Sequence, residues 1–350
     1  MKVLVVGGKG FYGQKVVKAL SLLSNVSIHI AGRSVIHPHI RLDLCDENSF
    51  HHAQGFDVVI NASDSFEAPP QRFMKYCLTT GTDYFDMGAI DRSTQSLLNV
   101  STDELKGCGI VGVGIFPGIS TLLAHSLCKE QHSIKSLELA IRLSPLSGAG
   151  AGNCNLMTKM LTIPSYAIVD HKVVHDRPVG KAKTFTFPNV GVHVANQVSL
   201  ADTALLHHST TASNIATYLA IKPSFLRYNF SLLSLVYEYM GPFKKLYLWS
   251  IYQSLRLIRS VLFKSKSTSI QFSVVANRGQ DDELCKYLTV EDGQMATAFA
   301  VAVTLSLWQE KTKMMPGVYG FSEVFEFDVF AERWFKITGS KLQIDSKISL

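Results

Sequence analysis

Residues 2–13 read KVLVVGGKGFYG, a short apolar run followed by glycines in the spacing G-x-G-x-x-G. The run at 2–6 is short, apolar and rich in valine, as is typical of a buried parallel strand. A helical pattern of apolar residues follows over 14–23. A strand, a glycine-rich turn and a helix in this order indicate a dinucleotide-binding βα unit.

Each of the three spaced glycines has a predicted task. Gly8 allows the tight turn, Gly10 lets the backbone approach a pyrophosphate, and Gly13 lets the helix pack closely on the strand. The free N–H groups at the start of the helix are expected to face the phosphates. The residues predicted to bind the cofactor in this loop are Gly8, Lys9, Gly10, Phe11, Tyr12 and Gly13.

The residues after the second predicted strand, 26–31, indicate which dinucleotide binds. NAD sites usually carry an acidic residue there, whereas this chain has Arg33 and Ser34. An arginine pairs with a 2′-phosphate, and such a contact contributes about 1.5–3 kcal/mol, or about 10- to 100-fold in affinity. We therefore predict NADP as the cofactor. The alternative is that Arg33 is a solvated surface charge.

Strands continue to follow one another as far as residue 115. They are predicted at 41–44, 56–62, 83–88 and 109–115, with a helix at 71–80. This pattern predicts an α/β fold built on a Rossmann-type, doubly wound parallel sheet. Ligands of such sheets bind at the carboxyl ends of the strands. That rule nominates Asp43, Asn61, Ala62, Pro117 and Gly118 as cofactor contacts and Asp86 as the catalytic acid.

Five short motifs resemble those of the saccharopine dehydrogenase-like reductases. They are VVGGKGFYG at 5–13, AGRS at 31–34, VINA at 59–62, YFDMG at 84–88 and FPGIS at 116–120. The resemblance implies an NADP-binding Rossmann domain that is interrupted by an α+β domain and completed by returning C-terminal helices. It also implies hydride transfer between NADP(H) and an imine, carbonyl or enoyl substrate bound between the domains. A second hypothesis is a non-catalytic NADP-binding sensor or a membrane-docked scaffold.

Two domains are expected from these patterns. The Rossmann domain is predicted at 1–121 and 292–350, and the inserted α+β domain at 122–291. Strands of the inserted domain are predicted at 137–143, 184–187, 270–276 and 287–290.

A run of small residues at 144–155 is expected to form a loop facing the cleft. Asn153 and Asn155 in this loop, and His193 further along, are the candidate substrate contacts. Asp202, His207 and His208 are assigned to the same inserted domain, where a structural or exposed role is favoured for each single histidine. No spacing of His, Asp or Glu there indicates a metal site or a catalytic triad, so no metal is predicted.

The net charge of +6 is concentrated in one segment. Residues 222–266 contain eight basic residues and one acid, a charge of +7, so the rest of the chain carries −1. This distribution excludes a general nucleic-acid binder. The six cysteines form no C-x-x-C pair, which argues against a disulfide framework and fits a reducing, cytoplasmic compartment.

The basic segment contains a predicted amphipathic helix at 245–263. Its wide apolar face is bordered by a cationic strip and aromatic residues, which is typical of a helix on an anionic membrane. The favoured alternative is a helix that covers the core or a dimer interface and solvates its basic face. The expected partners are a small-molecule or lipid-like substrate and a second copy of the chain, with peripheral membrane contact through this helix.

Overall fold

The computed structural model describes residues 1–34, 36–63, 68–131, 133–143, 151–222, 225–262, 269–312 and 314–348. At some helix and strand ends it describes the backbone alone, namely at 151–153, 155–156, 225–226, 259–262 and 347–348. Two compact units are formed by several segments each. The first unit comprises Met1–Ser126, Leu200–Ser209 and Met295–Leu342, and the second comprises Leu127–Ser199, Thr210–Gln294 and Gln343–Leu350.

The strands and helices are numbered along the chain. The strands are β1 (Lys2–Val6), β2 (Ser27–Gly32), β3 (Ile40–Arg41), β4 (Val58–Asn61), β5 (Asp83–Asp86), β6 (Cys108–Val111), β7 (Ser136–Leu143), β8 (Ser165–Val169), β9 (Lys172–Asp176), β10 (Ala182–Phe187), β11 (Gly191–Gln197), β12 (Asn214–Ile221), β13 (Ile270–Ala276), β14 (Leu284–Val290), β15 (Gly317–Gly320) and β16 (Gln343–Ile348). The α-helices are α1 (Phe11–Leu20), α2 (Gln71–Thr80), α3 (Asp91–Leu98), α4 (Ser120–Glu130), α5 (Ala151–Met160), α6 (Ala201–Ser209), α7 (Phe225–Tyr239), α8 (Lys244–Leu262), α9 (Gly293–Glu310), α10 (Phe321–Val324) and α11 (Phe327–Thr338).

The first unit contains a seven-stranded parallel sheet in the order β15-β6-β5-β4-β1-β2-β3. The predicted doubly wound Rossmann sheet is therefore confirmed. β1 and β4 lie at its centre and their apolar side chains are almost fully buried, because both faces of a parallel sheet are covered. Strand order reverses between these two strands, which creates a crevice at their carboxyl ends.

β15 and residues 200–209 of this unit differ from the predictions. β15 extends the sheet beyond β6, but its four residues include two glycines and show no strand pattern. Residues 200–209 were predicted in the inserted domain, yet they belong to the first unit. The reason is apolar packing, because the Leu205 side chain lies against the bare α-carbons of Gly112 and Gly320.

The second unit contains a mixed sheet in the order β10-β11-β12-β7-β13-β14-β16, with β8 paired to β12 and β9 to β8. The four predicted strands correspond to β7, β10, β13 and β14. β9 was missed because most of its residues are exposed and no alternation marks a buried face. β16 was also misplaced, since 292–350 was predicted to return to the Rossmann domain whereas 343–348 pairs with β14.

The run predicted as a loop at 144–155 differs from the structure in its second half. Helix α5 begins at Ala151, and residues 144–150 lie outside the described part of the chain. The strand predicted at 109–115 corresponds to β6, which a turn and α4 follow. Across the described ranges, no helix combines the length and the apolarity needed to cross a membrane.

Candidate functional site

The glycine-rich loop follows β1 in a tightly closed turn. Gly7 has a φ of 76°, and its N–H donates to the carbonyl oxygen of Ala31 at 2.9 Å. The residue with the left-handed backbone is therefore Gly7, not Gly8 as predicted. A β-carbon on Gly8 would lie 2.9 Å from the Ile30 side chain and 3.1 Å from the Val5 carbonyl oxygen. Gly8 is needed for contact with the strands rather than for the turn.

Gly13 brings α1 against the start of the loop. A β-carbon on Gly13 would lie 2.1 Å from the carbonyl oxygen of Gly7 and 2.6 Å from the α-carbon of Gly8. Gly10 precedes the helix as its N-cap and supplies no side-chain cap. The first turn of α1 also has no acidic residue. The start of α1 is thus suited to an anion, because its N–H groups and dipole favour negative charge.

The other predicted contacts of the loop lie at its outer side. Lys9 and Phe11 are exposed, and the Phe11 ring is 5.2 Å from the Tyr12 ring in an edge contact. Arg33 and Ser34 directly follow β2 and are also exposed. Because β2 adjoins β1 in the sheet, these two side chains follow the strand beside the one that leads into the glycine loop.

Asp43 has a local structural partner. Its carboxylate accepts the N–H of Cys45 at 3.0 Å, and its carbonyl oxygen accepts the Ser49 hydroxyl at 2.9 Å. β3 ends two residues earlier, at Arg41. The carboxylate therefore shapes the turn after β3, which gives Asp43 a role that needs no cofactor.

Asn61 and Asp86 join the ends of β4 and β5 in a buried network. The Asn61 amide donates to Asp86 Oδ2 at 3.0 Å, and the Tyr84 hydroxyl donates to the same oxygen at 3.1 Å. The Gly88 N–H donates to Asp86 Oδ1 at 2.8 Å. Burial raises the pKa of Asp86, and these three donors oppose the rise.

The catalytic role of Asp86 stays a prediction, and the geometry gives the residue a structural role. The residue ends β5, as predicted, but it is 0% exposed and both carboxyl oxygens accept hydrogen bonds. The carboxyl group is not exposed to solvent. The arrangement favours a structural role in which Asp86 fixes the ends of two neighbouring strands.

Ser63 is a site candidate that the sequence analysis missed. Its hydroxyl donates to Asn61 Oδ1 at 2.6 Å, and the residue is partly exposed, as is Ala62. A β-carbon on Gly7 would lie 3.0 Å from the Ser63 α-carbon and from the Ala62 carbonyl oxygen. The chain after β4 therefore borders the glycine loop at the reversal point of the sheet. Its signal in the sequence was its place directly after the VINA motif.

Pro117 and Gly118 form a compact turn after β6. Gly118 has a φ of 134°, and a β-carbon there would lie 2.8 Å from the Gly112 carbonyl oxygen. The Thr121 hydroxyl donates to the Gly118 carbonyl oxygen at 2.8 Å. Both Pro117 and Gly118 are buried, so they shape the backbone of this edge of the sheet.

Ser120 and Asp202 form a second buried polar pair in the first unit. The Ser120 hydroxyl donates to Asp202 Oδ1, and both residues are 0% exposed. Asp202 Oδ2 is also buried, and the described residues offer it no hydrogen-bond donor. Burial raises the pKa of Asp202 from 3.8 to about 7, against the opposing effect of the Ser120 bond. The pair was missed because Asp202 was assigned to the other domain.

His208 also lies in the first unit rather than in the inserted domain. Its Nδ1 is 3.0 Å from Glu323 Oε2, and this hydrogen bond raises the pKa of His208. Both side chains are partly exposed. The pair links α6 to α10. In the part of the chain that the structure describes, no group of three His, Cys, Asp or Glu side chains is arranged to hold a metal.

The three predicted substrate contacts fall in the second unit. His193 lies on β11 beside the turn from β10, and its Nε2 is 3.1 Å from the Val190 carbonyl oxygen. This contact gives the ring a local partner. The side chains of Asn153 and Asn155 lie outside the described residues.

A small apolar pocket is present within the second unit. Its lining is almost entirely apolar, and one cationic side chain, Arg227, takes part in it. The lining residues include Met157, Met160, Val198, Leu219, Ile221 and Phe230.

Two solved structures resemble the whole chain. Apo saccharopine dehydrogenase (L-Glu forming) from Saccharomyces cerevisiae superposes with a TM-score of 0.66 at 15% identity, covering 99% of each chain. Homospermidine synthase from Legionella pneumophila, solved in complex with NAD, gives a TM-score of 0.65 at 10% identity, covering 99% of this chain and 91% of that one. The chain has the saccharopine dehydrogenase fold. No protein-family model matches the sequence, and neither does any curated protein.

Proposed function

We propose that the chain is an NADP-dependent oxidoreductase of the saccharopine dehydrogenase-like type. The observation that carries the proposal is the glycine loop after β1, where a β-carbon on Gly13 would overlap the Gly7 carbonyl oxygen. This close approach supports a dinucleotide site, since it sets the start of α1 next to the loop. The fold shared with a dehydrogenase supports the same assignment.

The residues present fit the parts of the dinucleotide. The glycine loop and the start of α1 would hold the pyrophosphate, and Arg33 with Ser34 would hold the 2′-phosphate. Ala62 and Ser63 would border the remainder of the cofactor. Bound there, the nicotinamide ring supplies or accepts a hydride. The preference for NADP rests on Arg33. The shared fold does not decide between the two nucleotides, since homospermidine synthase was solved with NAD.

The substrate is proposed to be an imine, a carbonyl or an enoyl compound. The apolar pocket of the second unit has a volume of about 20 Å³, room for about one water molecule, so it does not decide between these classes. The burial of Asp86 supports the second hypothesis, an NADP-binding sensor without turnover. Oxidation of NADPH by purified protein with a panel of imines, keto acids and enoyl thioesters separates the two.

Thermal unfolding with NADPH and with NADH tests the cofactor assignment. A ligand at 100 times its dissociation constant stabilises the folded state by about 2.7 kcal/mol. We expect NADPH to raise the unfolding midpoint by several degrees and NADH to raise it less. Arg33→Ala should weaken NADPH binding about 10- to 100-fold, and Arg33→Asp should shift the preference towards NADH.

Lys18→Ala is the matched control, because Lys18 is a basic residue in the last turn of α1, at the opposite end of that helix from the glycine loop. It should leave the NADPH midpoint shift unchanged. A shift with NADH as large as that with NADPH, and insensitive to Arg33→Ala, would contradict the preference for NADP. No shift with either nucleotide would overturn the dinucleotide site itself.

A further inference from the structure

Helices α7 and α8 form a hairpin in the second unit. The hydroxyl of Tyr247 on α8 donates to the carbonyl oxygen of Leu233 on α7 at 3.1 Å. The short connection includes a 3-10 turn at Gly241–Phe243. We call these two helices and their connection the α7–α8 hairpin. Each helix carries apolar residues on two opposite faces. Packing against the rest of the unit buries only one of these faces.

The inner face of α7 packs against the rest of the unit. Phe230 is buried, and the buried Ser234 hydroxyl donates to the carbonyl oxygen of Leu161 at 3.1 Å. The opposite face carries four exposed residues at spacings of four, three and four, which places them in one stripe. These residues are Tyr228, Leu232, Leu235 and Tyr239, exposed by 68%, 59%, 48% and 80%.

Helix α8 repeats this arrangement. Its inner residues Ile251 and Leu255 are buried, on a helix that packs against α5. Successive residues are 100° apart, so Leu246, Trp249 and Leu257 lie on the opposite side, and Trp249 is 59% exposed. Phe243 in the connection is also exposed, by 65%.

Basic side chains border this apolar surface. Lys245 and Arg256 are exposed on the outer side of α8 beside Trp249. The guanidinium of Arg227 lies 4.2 Å from the centre of the Tyr228 ring. The single acid of the basic segment is Glu238, and the segment 222–266 carries +7.

We propose that the α7–α8 hairpin docks on an anionic lipid bilayer. Aromatic and aliphatic side chains flanked by cations bind at the boundary between headgroups and acyl chains, where each cation adds attraction to anionic lipid. A second copy of this chain fits less well. A two-fold symmetric contact would bring the same cationic surface of both copies together. The proposal concerns the second unit and does not rest on the proposed function.

Vesicle flotation tests the proposal with the full-length protein. We expect it to float with vesicles of phosphatidylcholine and phosphatidylglycerol at 7:3 and to remain in solution with phosphatidylcholine alone. Raising the salt concentration should weaken the binding. Lys245→Glu with Arg256→Glu should lower the partition coefficient about thirtyfold or more, since one cation near the surface is worth about fivefold. Leu246→Ser with Trp249→Ser should lower it by about tenfold or more.

Val192→Ser with Val194→Ser is the matched control, because both valines are exposed on β11 of the same unit. This variant should partition as the unaltered protein does. All variants should unfold at temperatures close to that of the unaltered protein, since the replaced side chains are exposed. A second measurement uses the tryptophan fluorescence of the unaltered protein. Trp249 is exposed, whereas Trp334 is buried and Trp308 is partly buried. Anionic vesicles should shift the emission to the blue, and Trp249→Phe should abolish the shift.

Three results would overturn the proposal. The first is no flotation and no blue shift with anionic vesicles. The second is flotation that the Leu246→Ser and Trp249→Ser variant retains in full. The third is a dimer in sedimentation equilibrium that either double variant dissociates, which would assign the surface to a second copy of the chain.

Discussion

The hydroxyl group of Ser120 donates a hydrogen bond to the carboxyl group of Asp202, which lies 82 positions further along the chain. Ser120 begins α4, directly after the turn that follows β6, and Asp202 lies in the first turn of α6. The bond therefore ties the carboxyl edge of the first sheet to a helix from the middle of the chain. Burial holds the pKa of this acid near 7, and several expected outcomes depend on it.

Asp202 should make the free energy of unfolding fall as the pH rises from about 4 to about 7. Below pH 3.8 the carboxyl is protonated in both states, and between 3.8 and about 7 only the unfolded chain releases the proton. Ionisation of the unfolded state therefore favours unfolding across this window, and the effect is constant above it. Since one pKa unit corresponds to about 1.4 kcal/mol, the total is on the order of 4 kcal/mol.

Urea unfolding of Asp202→Asn between pH 4 and pH 8 measures this effect. The variant should gain stability over the unaltered protein as the pH rises to 7, with no further gain above it. Asp281→Asn is the control at an exposed position. Its free energy of unfolding should stay within about 0.5 kcal/mol of that of the unaltered protein across the pH range. A difference for Asp202→Asn that does not change with pH would contradict the assignment.

Ser120→Ala should raise the pKa of Asp202 further, because the hydrogen bond from the Ser120 hydroxyl is the larger of the two effects that oppose the rise. The cost at pH 8 should be about 1–3 kcal/mol, since a buried acceptor loses its donor. In an Asp202→Asn background, Ser120→Ala should lower the free energy of unfolding by a smaller amount, and that amount should not depend on pH. Ser126→Ala is the matched control, because that hydroxyl donates to a carbonyl oxygen in the same helix at 2.7 Å. Equal costs in both backgrounds would show that the two residues are not coupled.

Gly13→Ala should destabilise the first unit and abolish NADPH binding. The added methyl would lie 2.1 Å from the Gly7 carbonyl oxygen, so α1 must move away from the loop. Overpacking of this kind costs about 1–3 kcal/mol or more. Gly10→Ala is the comparison, because its methyl meets one atom at 3.0 Å, and it should cost about 1 kcal/mol. Urea unfolding and NADPH titration of both variants check this order, and equal losses would refute it.

Asp86→Asn should lower stability by about 1–3 kcal/mol, because an amide cannot accept from the donors on both sides of the carboxyl group. Tyr84→Phe removes one of those donors and leaves the other two, so its cost should be smaller. Urea unfolding separates the structural role from the catalytic one. Full stability of Asp86→Asn together with lost turnover would restore Asp86 as the acid.

The first sheet could be predicted because its information is local. Apolar runs such as 2–6 and 56–62 mark buried strands, and the glycine spacing marks the turn between β1 and α1. The helix predicted at 71–80 matches α2 to the residue, since Gly81 with a φ of 88° ends it. Where one glycine could take the role of its neighbour, as with Gly7 and Gly8, the sequence could not decide between them.

The rest depended on contacts between distant residues. Nothing in the sequence near 200–209 indicates that Leu205 packs on Gly112 and Gly320. The burial of Asp86 and Asp202 depends on neighbouring elements. The strand-end rule therefore located Asp86 but could not predict that its side chain is buried. The outer stripe of α7 was missed because an amphipathic helix was predicted at 245–263 and none at 225–239.

β6 acquires its outer neighbour only when β15 pairs with it. β15 is synthesised roughly 200 residues later, a delay of about 10–40 s at about 5–20 residues per second. Throughout that delay β6 presents an open row of backbone donors and acceptors that can pair with other chains. Slower synthesis of the residues between β6 and β15 would therefore lengthen the time in which β6 can pair with another chain, however stable the finished fold.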